Sequence, residues 1–242
     1  VDLKAATEKG IFVTNVIYDI CDVADHTLAL MLSLVRKIPW AYQNVKAGKW
    51  DWKILQPISR INGKTVGIIG FGRVAREVAA RIRAFGTNII AYDPYLLLET
   101  FEKSNVKQVD LETIFEQSDI ITVHVALTEE TRHMIGLEQL RKMKKTAILI
   151  NASRGAVIDE KALYIALKEK WIAGAALDVL EVEPPKKDNS LLEIENLIVT
   201  PHMAWYSTAS LTEIQRKAAE EIARVLSGQL PVNLVNKEVL KK

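Results

Sequence analysis

Between residues 66 and 200 the chain alternates two hydrophobic patterns. Short apolar runs rich in β-branched residues occupy 66–69, 88–92, 106–109, 120–124, 146–150, 173–177 and 197–200. Segments of helical period, 74–85, 160–168 and a shorter 137–143, lie between them and are long enough to serve as crossovers. The runs do not alternate polar with apolar, as expected of strands covered on both faces. The prediction is an α/β fold: a doubly wound parallel sheet of about seven strands with helices on both sides.

Two more helices flank this unit. One follows Asp22 as N-cap, runs through VADHTLALMLSLVRK and is apolar on most of its circumference, which points to burial between domains or subunits. The other spans about 207–226, stops at Gly228 and leads into an extended tail. The opening VDLKAATEKGIFVTN reads as a short helix, a glycine stop and a strand, entered midway through an alternating pattern, so the chain reads as a fragment.

Charge narrows the partners. Lys and Arg total 32 against 30 Asp and Glu, and a net charge of +2 gives no electrostatic case for nucleic acid or a membrane surface. The basic run at 141–145 closes a helix, where it complements the dipole on a solvated face. No apolar stretch approaches the ~20 residues of a membrane helix. The single cysteine, Cys21, excludes an intrachain disulfide, reads as a small apolar side chain, and points with the absence of a leader to the cytoplasm. His26, His124, His133 and His202 stand in no metal-ligand spacing, so no metal is expected. Tyr18, Trp40, Trp50 and Trp52 are expected to serve packing.

The chemistry gathers at strand ends. In GIIGFGRVA (67–75), strand VGII enters a glycine loop and helix VAREVAARI leaves it. Gly70 permits the tight turn, Gly72 lets backbone approach a pyrophosphate, and Ala75 is small enough for helix and strand to pack closely. Arg73 and Val74 begin the helix whose amides face the phosphates. Asp93 lies 21 residues beyond Gly72, where a carboxylate can accept from a ribose and would repel a 2′-phosphate. That arrangement favours NAD over NADP. Open α/β sheets bind ligands beyond the carboxyl ends of their strands, and there stand His124, the stretch 151–155, Asp178 and His202.

INASRGAVIDEKAL, GAALDVLEVEP and VTPHMAW, with VGIIGFGRVA and VADHTLAL upstream, resemble the D-isomer-specific 2-hydroxyacid dehydrogenases in order along the whole chain. The resemblance implies a Rossmann-type NAD-binding domain at 22–206. Residues 1–21 would be a remnant of a flavodoxin-like substrate domain, to which the helix and tail at 207–242 return. It implies Arg154 as the clamp on a substrate carboxylate, His202 as the proton carrier and Glu183 as its partner. A planar guanidinium, an imidazole titrating near neutrality and a carboxylate that favours imidazolium suit those roles. It further implies that Asp178 holds the nicotinamide carboxamide, that Ala152 and Ser153 lie along the ring, and that His124, Val125, Ala126 and Ala204 border the cofactor. Ala126 departs from the family, which commonly has proline there. Trp205 stands as a possible pocket wall beside Arg154 and His202.

The expected function is therefore NAD-dependent interconversion of a small D-2-hydroxy acid and its 2-oxo acid, of glyoxylate/hydroxypyruvate, phosphoglycerate or lactate type, by a homodimer joined through the NAD-binding domain. HMAWYS and GRVA also resemble the C-terminal-binding-protein corepressors. That likeness leaves an NAD(H)-responsive dimeric scaffold as the alternative.

Overall fold

Main-chain pairing in a computed structural model, which describes residues 1–241, forms one seven-stranded sheet. The strands are β1 (Thr65–Ile69), β2 (Asn88–Tyr92), β3 (Lys107–Gln108), β4 (Ile120–Val123), β5 (Ile148–Asn151), β6 (Gly174–Leu177) and β7 (Leu197–Val199). Every pairing is parallel, in the order β3-β2-β1-β4-β5-β6-β7. The order reverses between β1 and β4, the switch point at which such sheets bind ligands. The helices are α1 (Leu3–Glu8), α2 (Cys21–Val35), α3 (Ile38–Lys46), α4 (Arg73–Ile82), α5 (Leu98–Lys103), α6 (Leu111–Gln117), α7 (Leu137–Lys142), α8 (Glu160–Lys168) and α9 (Thr208–Leu226).

The chain divides into two compact units, 23–204 and a terminal unit of 1–22 with 205–242. In the larger one the sheet is apolar on both faces because successive side chains point opposite ways. Ile69, Ile121, Leu149 and Leu177 meet α6, α7 and α8 on one side; Ile68, Ile120, Ile150 and Ala176 meet α2, α4 and α5 on the other. In α4 the buried positions Ala75, Val78, Ala79 and Ile82 form one stripe at helical spacing. The α8 helix is started by Asp159, whose carboxylate accepts from the amides of Lys161 (2.9 Å) and Ala162 (3.1 Å).

In the terminal unit the expected strand after Gly10 is replaced by a single antiparallel bridge, Thr14 to Leu234. A buried side chain takes the place of a ladder: Asn236 accepts from the Val13 amide and donates to the Ile11 carbonyl. Asp22 is not an N-cap. Helix α2 begins one residue earlier, where Asp19 accepts from the Cys21 amide, and the Asp22 carboxylate instead accepts from the hydroxyls of Ser207 and Ser210 at the start of α9. Cys21 is half-buried.

Other expectations shift too. Strand β3 is two residues long, since only Lys107 and Gln108 find partners on β2. Trp40 packs on the α2 side of the sheet and donates its indole N–H to the Glu195 carbonyl, but Trp50 and Trp52 are largely exposed, at 88% and 68%. In the basic run, Lys142 pairs with Glu112 and Glu138, and Arg141 lies over the Trp171 ring.

One close approach gives a test. A Cβ on Gly67 would lie 2.1 Å from Ser118 Oγ and 3.0 Å from both Ser118 Cβ and Ile114 Cγ2, and that buried hydroxyl has no hydrogen-bond partner. Gly67→Ala should lower unfolding stability in urea by about 1–3 kcal/mol. Adding Ser118→Ala should restore part of it; an unchanged midpoint for the single variant would contradict this packing.

Candidate active site

The nucleotide-type loop joins β1 to α4 at the switch point. Gly70 has φ +81°, which favours glycine, and a Cβ there would lie 2.7 Å from Val125 Cγ1 and 2.9 Å from the His124 carbonyl. Gly72 is the N-cap of α4 and offers no side-chain acceptor to the helix's first amides, those of Arg73 and Val74. A Cβ on Gly72 would meet no protein atom within 4 Å. An open N-terminus with free-pointing amides and no side chain in front of it fits a pyrophosphate. Asp93 follows β2 and braces the loop: its carboxylate accepts from the Phe71 amide at 2.9 Å and from the Tyr95 amide at 3.0 Å. Two donors leave a carboxylate further lone pairs for a ribose hydroxyl.

The loop after β5 carries Ala152, Ser153 and Arg154. It is shaped from beneath by buried Asn151, whose Oδ1 accepts from the Ser153 amide and hydroxyl and whose Nδ2 donates to the Arg154 carbonyl. The Arg154 guanidinium is exposed and reaches the Ser153 carbonyl at 2.6 Å. Gly155 next to it admits the segment after β6: a Cβ there would lie 2.0 Å from the Leu180 carbonyl carbon. The same segment is pinned on its far side, where Glu160 and Glu181 each accept the other's backbone amide and His133 lies 3.1 Å from Glu181.

Glu183 ends that segment. One carboxylate oxygen accepts from the Leu180 amide at 2.9 Å, and the other lies 2.6 Å from Nδ1 of His202, beyond β7. Both side chains are partly exposed. His202 has φ +52°, an uncommon conformation for a residue with a side chain. Its amide donates to the Asp178 and Thr200 carbonyls, and the Met203 and Ala204 amides donate to the Asp178 carboxylate at 3.0 and 2.8 Å. The Thr200 hydroxyl donates to the same carboxylate at 2.6 Å, and His26 from α2 lies 3.4 Å from it. Burial pushes the Asp178 carboxyl up, but the donors from His26, Thr200, Ala204 and Met203 outweigh it and hold the group below the ordinary carboxylate value.

The structure thus gathers Arg154, Asp178, Glu183 and His202 beyond the ends of β5, β6 and β7, and Gly70, Gly72, Arg73, Val74, Asp93, His124 and Val125 beyond β1, β2 and β4. Ala126 opens a turn closed by Thr131, which donates to the Ala126 carbonyl at 2.6 Å. Ala204 is buried. Trp205 lies in the terminal unit, edge-on to Tyr206. Sequence reasoning placed Asn151 and Gly155 at this edge only as part of the stretch 151–155, without a role, and missed Thr200 and His26 as residues that shape the site. Their signal was position, each within a few residues of a strand end or, for His26, on the helix covering it.

Residues 28–204 match the family described as "D-isomer specific 2-hydroxyacid dehydrogenase, NAD binding domain". A glyoxylate reductase of Korarchaeum cryptofilum is 46% identical over the whole of this chain and 74% of its own length. A D-3-phosphoglycerate dehydrogenase of Methanocaldococcus jannaschii is 49% identical over 98% of this chain, which spans only 45% of that protein. A crystal structure of D-lactate dehydrogenase from Aquifex aeolicus, complexed with NAD and lactic acid, superposes with a TM-score of 0.87 at 32% identity, covering 94% of this chain and 73% of that one.

His124, hydrogen-bonded to the Thr122 hydroxyl at 2.9 Å, gives a pH test. Burial pushes its imidazole from 6.5 down to about 4. Between those values the unfolded chain binds the proton and the folded one does not, so the ring's contribution is intact above pH 6.5 and declines as pH falls toward 4. Because the ring is only half-buried, about 3 kcal/mol is an upper bound on that loss. Urea unfolding at pH 7 and 4.5 should show a smaller loss of stability for His124→Gln than for the parent protein. Equal losses would contradict it.

Proposed function

The chain belongs to the D-isomer-specific, NAD-dependent 2-hydroxyacid dehydrogenases, and from that premise we propose that it reduces a small 2-oxo acid to the D-2-hydroxy acid, and the reverse, using Arg154, Glu183 and His202. NAD(H), when bound, supplies or accepts the hydride. Gly70, Gly72, Arg73 and Val74 hold its pyrophosphate, Asp93 its ribose, and Ala152, Ser153, Asp178 and Ala204 border its nicotinamide, with His124, Val125 and Ala126 along the neighbouring strand end.

Arg154 holds the substrate carboxylate through its planar fork, and its fixed charge polarises the adjacent carbonyl. His202 donates a proton from Nε2 to the carbonyl oxygen as the carbon is reduced, and takes it back in the oxidative direction. Glu183, accepting at Nδ1, fixes the ring's orientation and tautomer. The observation that carries this reading is the 2.6 Å pair of Glu183 and His202 at the edge that also bears Arg154 and the glycine loop. The terminal unit is assigned to the substrate domain.

Among the described residues no helix is long and apolar enough to cross a membrane. A cytoplasmic enzyme is the proposal, supported by the single cysteine and by metabolic substrates of this class. A homodimer through the NAD-binding unit is supported by the exposed apolar side chains of Ile38, Tyr42, Val45, Trp50, Trp52 and Ile54, crowded into one segment of it.

The test is NADH consumption with glyoxylate, hydroxypyruvate, pyruvate and 3-phosphohydroxypyruvate. Turnover with at least one is expected. Arg154→Gln and His202→Gln should each lower kcat/KM about a hundredfold or more. NADH binding without turnover of any 2-oxo acid would overturn the enzyme in favour of an NAD(H)-responsive scaffold.

A further inference from the structure

His26 has no role in the chemistry just described, yet its ring reaches the carboxylate that organises the His202 segment. Its Nε2 lies 3.1 Å from Thr200 Oγ1 and 3.4 Å from Asp178 Oδ1, with the side chain 19% exposed. The tautomer follows by elimination. The Thr200 hydroxyl has one hydrogen, and at 2.6 Å from Asp178 Oδ1 it is spent on an ionised oxygen that can only accept. The Nε2 to Oγ1 contact is therefore a donation by the ring, and Nε2 carries the proton, shared between the hydroxyl and Oδ1.

We propose that His26 is a positioning residue: its Nε2–H fixes the Thr200–Asp178 pair and, through Asp178, the left-handed backbone that presents His202. The chain of bonds is continuous. Asp178 takes three successive amides, His202 on its carbonyl and Met203 and Ala204 on its carboxylate. A residue with φ +52° keeps that conformation only where surrounding bonds over-determine it. The carboxylate is buried, so each donor it loses leaves a charge poorly compensated. His26 is the donor that arrives from the covering helix α2 rather than from the β6 and β7 segments, and it ties the two together.

The inference rests on the proposed function, and its test separates the two. His26→Leu removes the donor; His26→Gln keeps an N–H at similar reach. Amide hydrogen exchange at Met203 and Ala204 should rise about tenfold or more in the Leu variant and stay near the parent rate in the Gln variant. Under saturating NADH, kcat for 2-oxo acid reduction should fall about tenfold in the Leu variant, with KM little changed, and be largely rescued by Gln. Nitrogen NMR of the parent protein, which needs no variant to fold, should show His26 protonated at Nε2. An unprotonated Nε2, unchanged exchange in the Leu variant, or equal losses in both variants would overturn it. Exchange that responds as expected in a protein lacking all 2-oxo acid turnover would leave the positioning intact and remove the proposed function.

Discussion

The Asp178 carboxylate, buried at the end of β6, gathers the Thr200 hydroxyl, the Met203 and Ala204 amides and the His26 ring, and the geometry beyond β7 depends on it. A buried charge is tolerable only when its lone pairs are met by donors, and here the donors lie on the segment that carries His202. Satisfying the charge and aiming the imidazole are thus one event. Its Oδ2 accepts from the Ala204 amide, which leaves that oxygen a further lone pair for the nicotinamide carboxamide that the resemblance assigns to this aspartate.

That local constraint is useful because of where the sheet places it. All seven strands run parallel, so their carboxyl ends open on one edge, and loops that share no sequence neighbourhood meet there. Two glycines set the clearances. Gly70 lets β1 turn beside the His124 carbonyl, and Gly155 lets the segment leading to Glu183 lie directly against the loop that bears Arg154. Any side chain at Gly155 would drive Leu180 away and take Glu183 with it, through the bond from the Leu180 amide to that carboxylate.

Much of this was legible in the sequence, for physical reasons that differ from element to element. The runs at 88–92 and 160–168 coincide with β2 and α8 because apolar period and capping agree there, Asp159 supplying the start of the helix. The span after Gly10 looked equally strand-like, but a strand exists only with a partner, and the tail offers one bridge and the Asn236 side chain instead. Aromatic content marked Trp50 and Trp52 as packing residues, yet hydrophobicity alone does not bring a neighbouring segment over a side chain, and both are largely exposed. In the site, residues of catalytic type announced themselves by motif. Those that hold them did not: His26 and Thr200 are ordinary polar residues whose significance appears only when segments distant in sequence are brought within about 3 Å of one another.

In the proposed reaction, reduction of a 2-oxo acid is a direct hydride transfer, with the carbon receiving hydrogen from the cofactor and the oxygen receiving a proton through His202. The measurement that tests this most directly is a single turnover with NADH deuterated at nicotinamide C4 on the transferring face, followed by mass and stereochemical analysis of the product. One deuterium at C2 of the D-2-hydroxy acid, with none exchanged with water, is the expected result. Product without deuterium at C2, or with the L configuration, would contradict it.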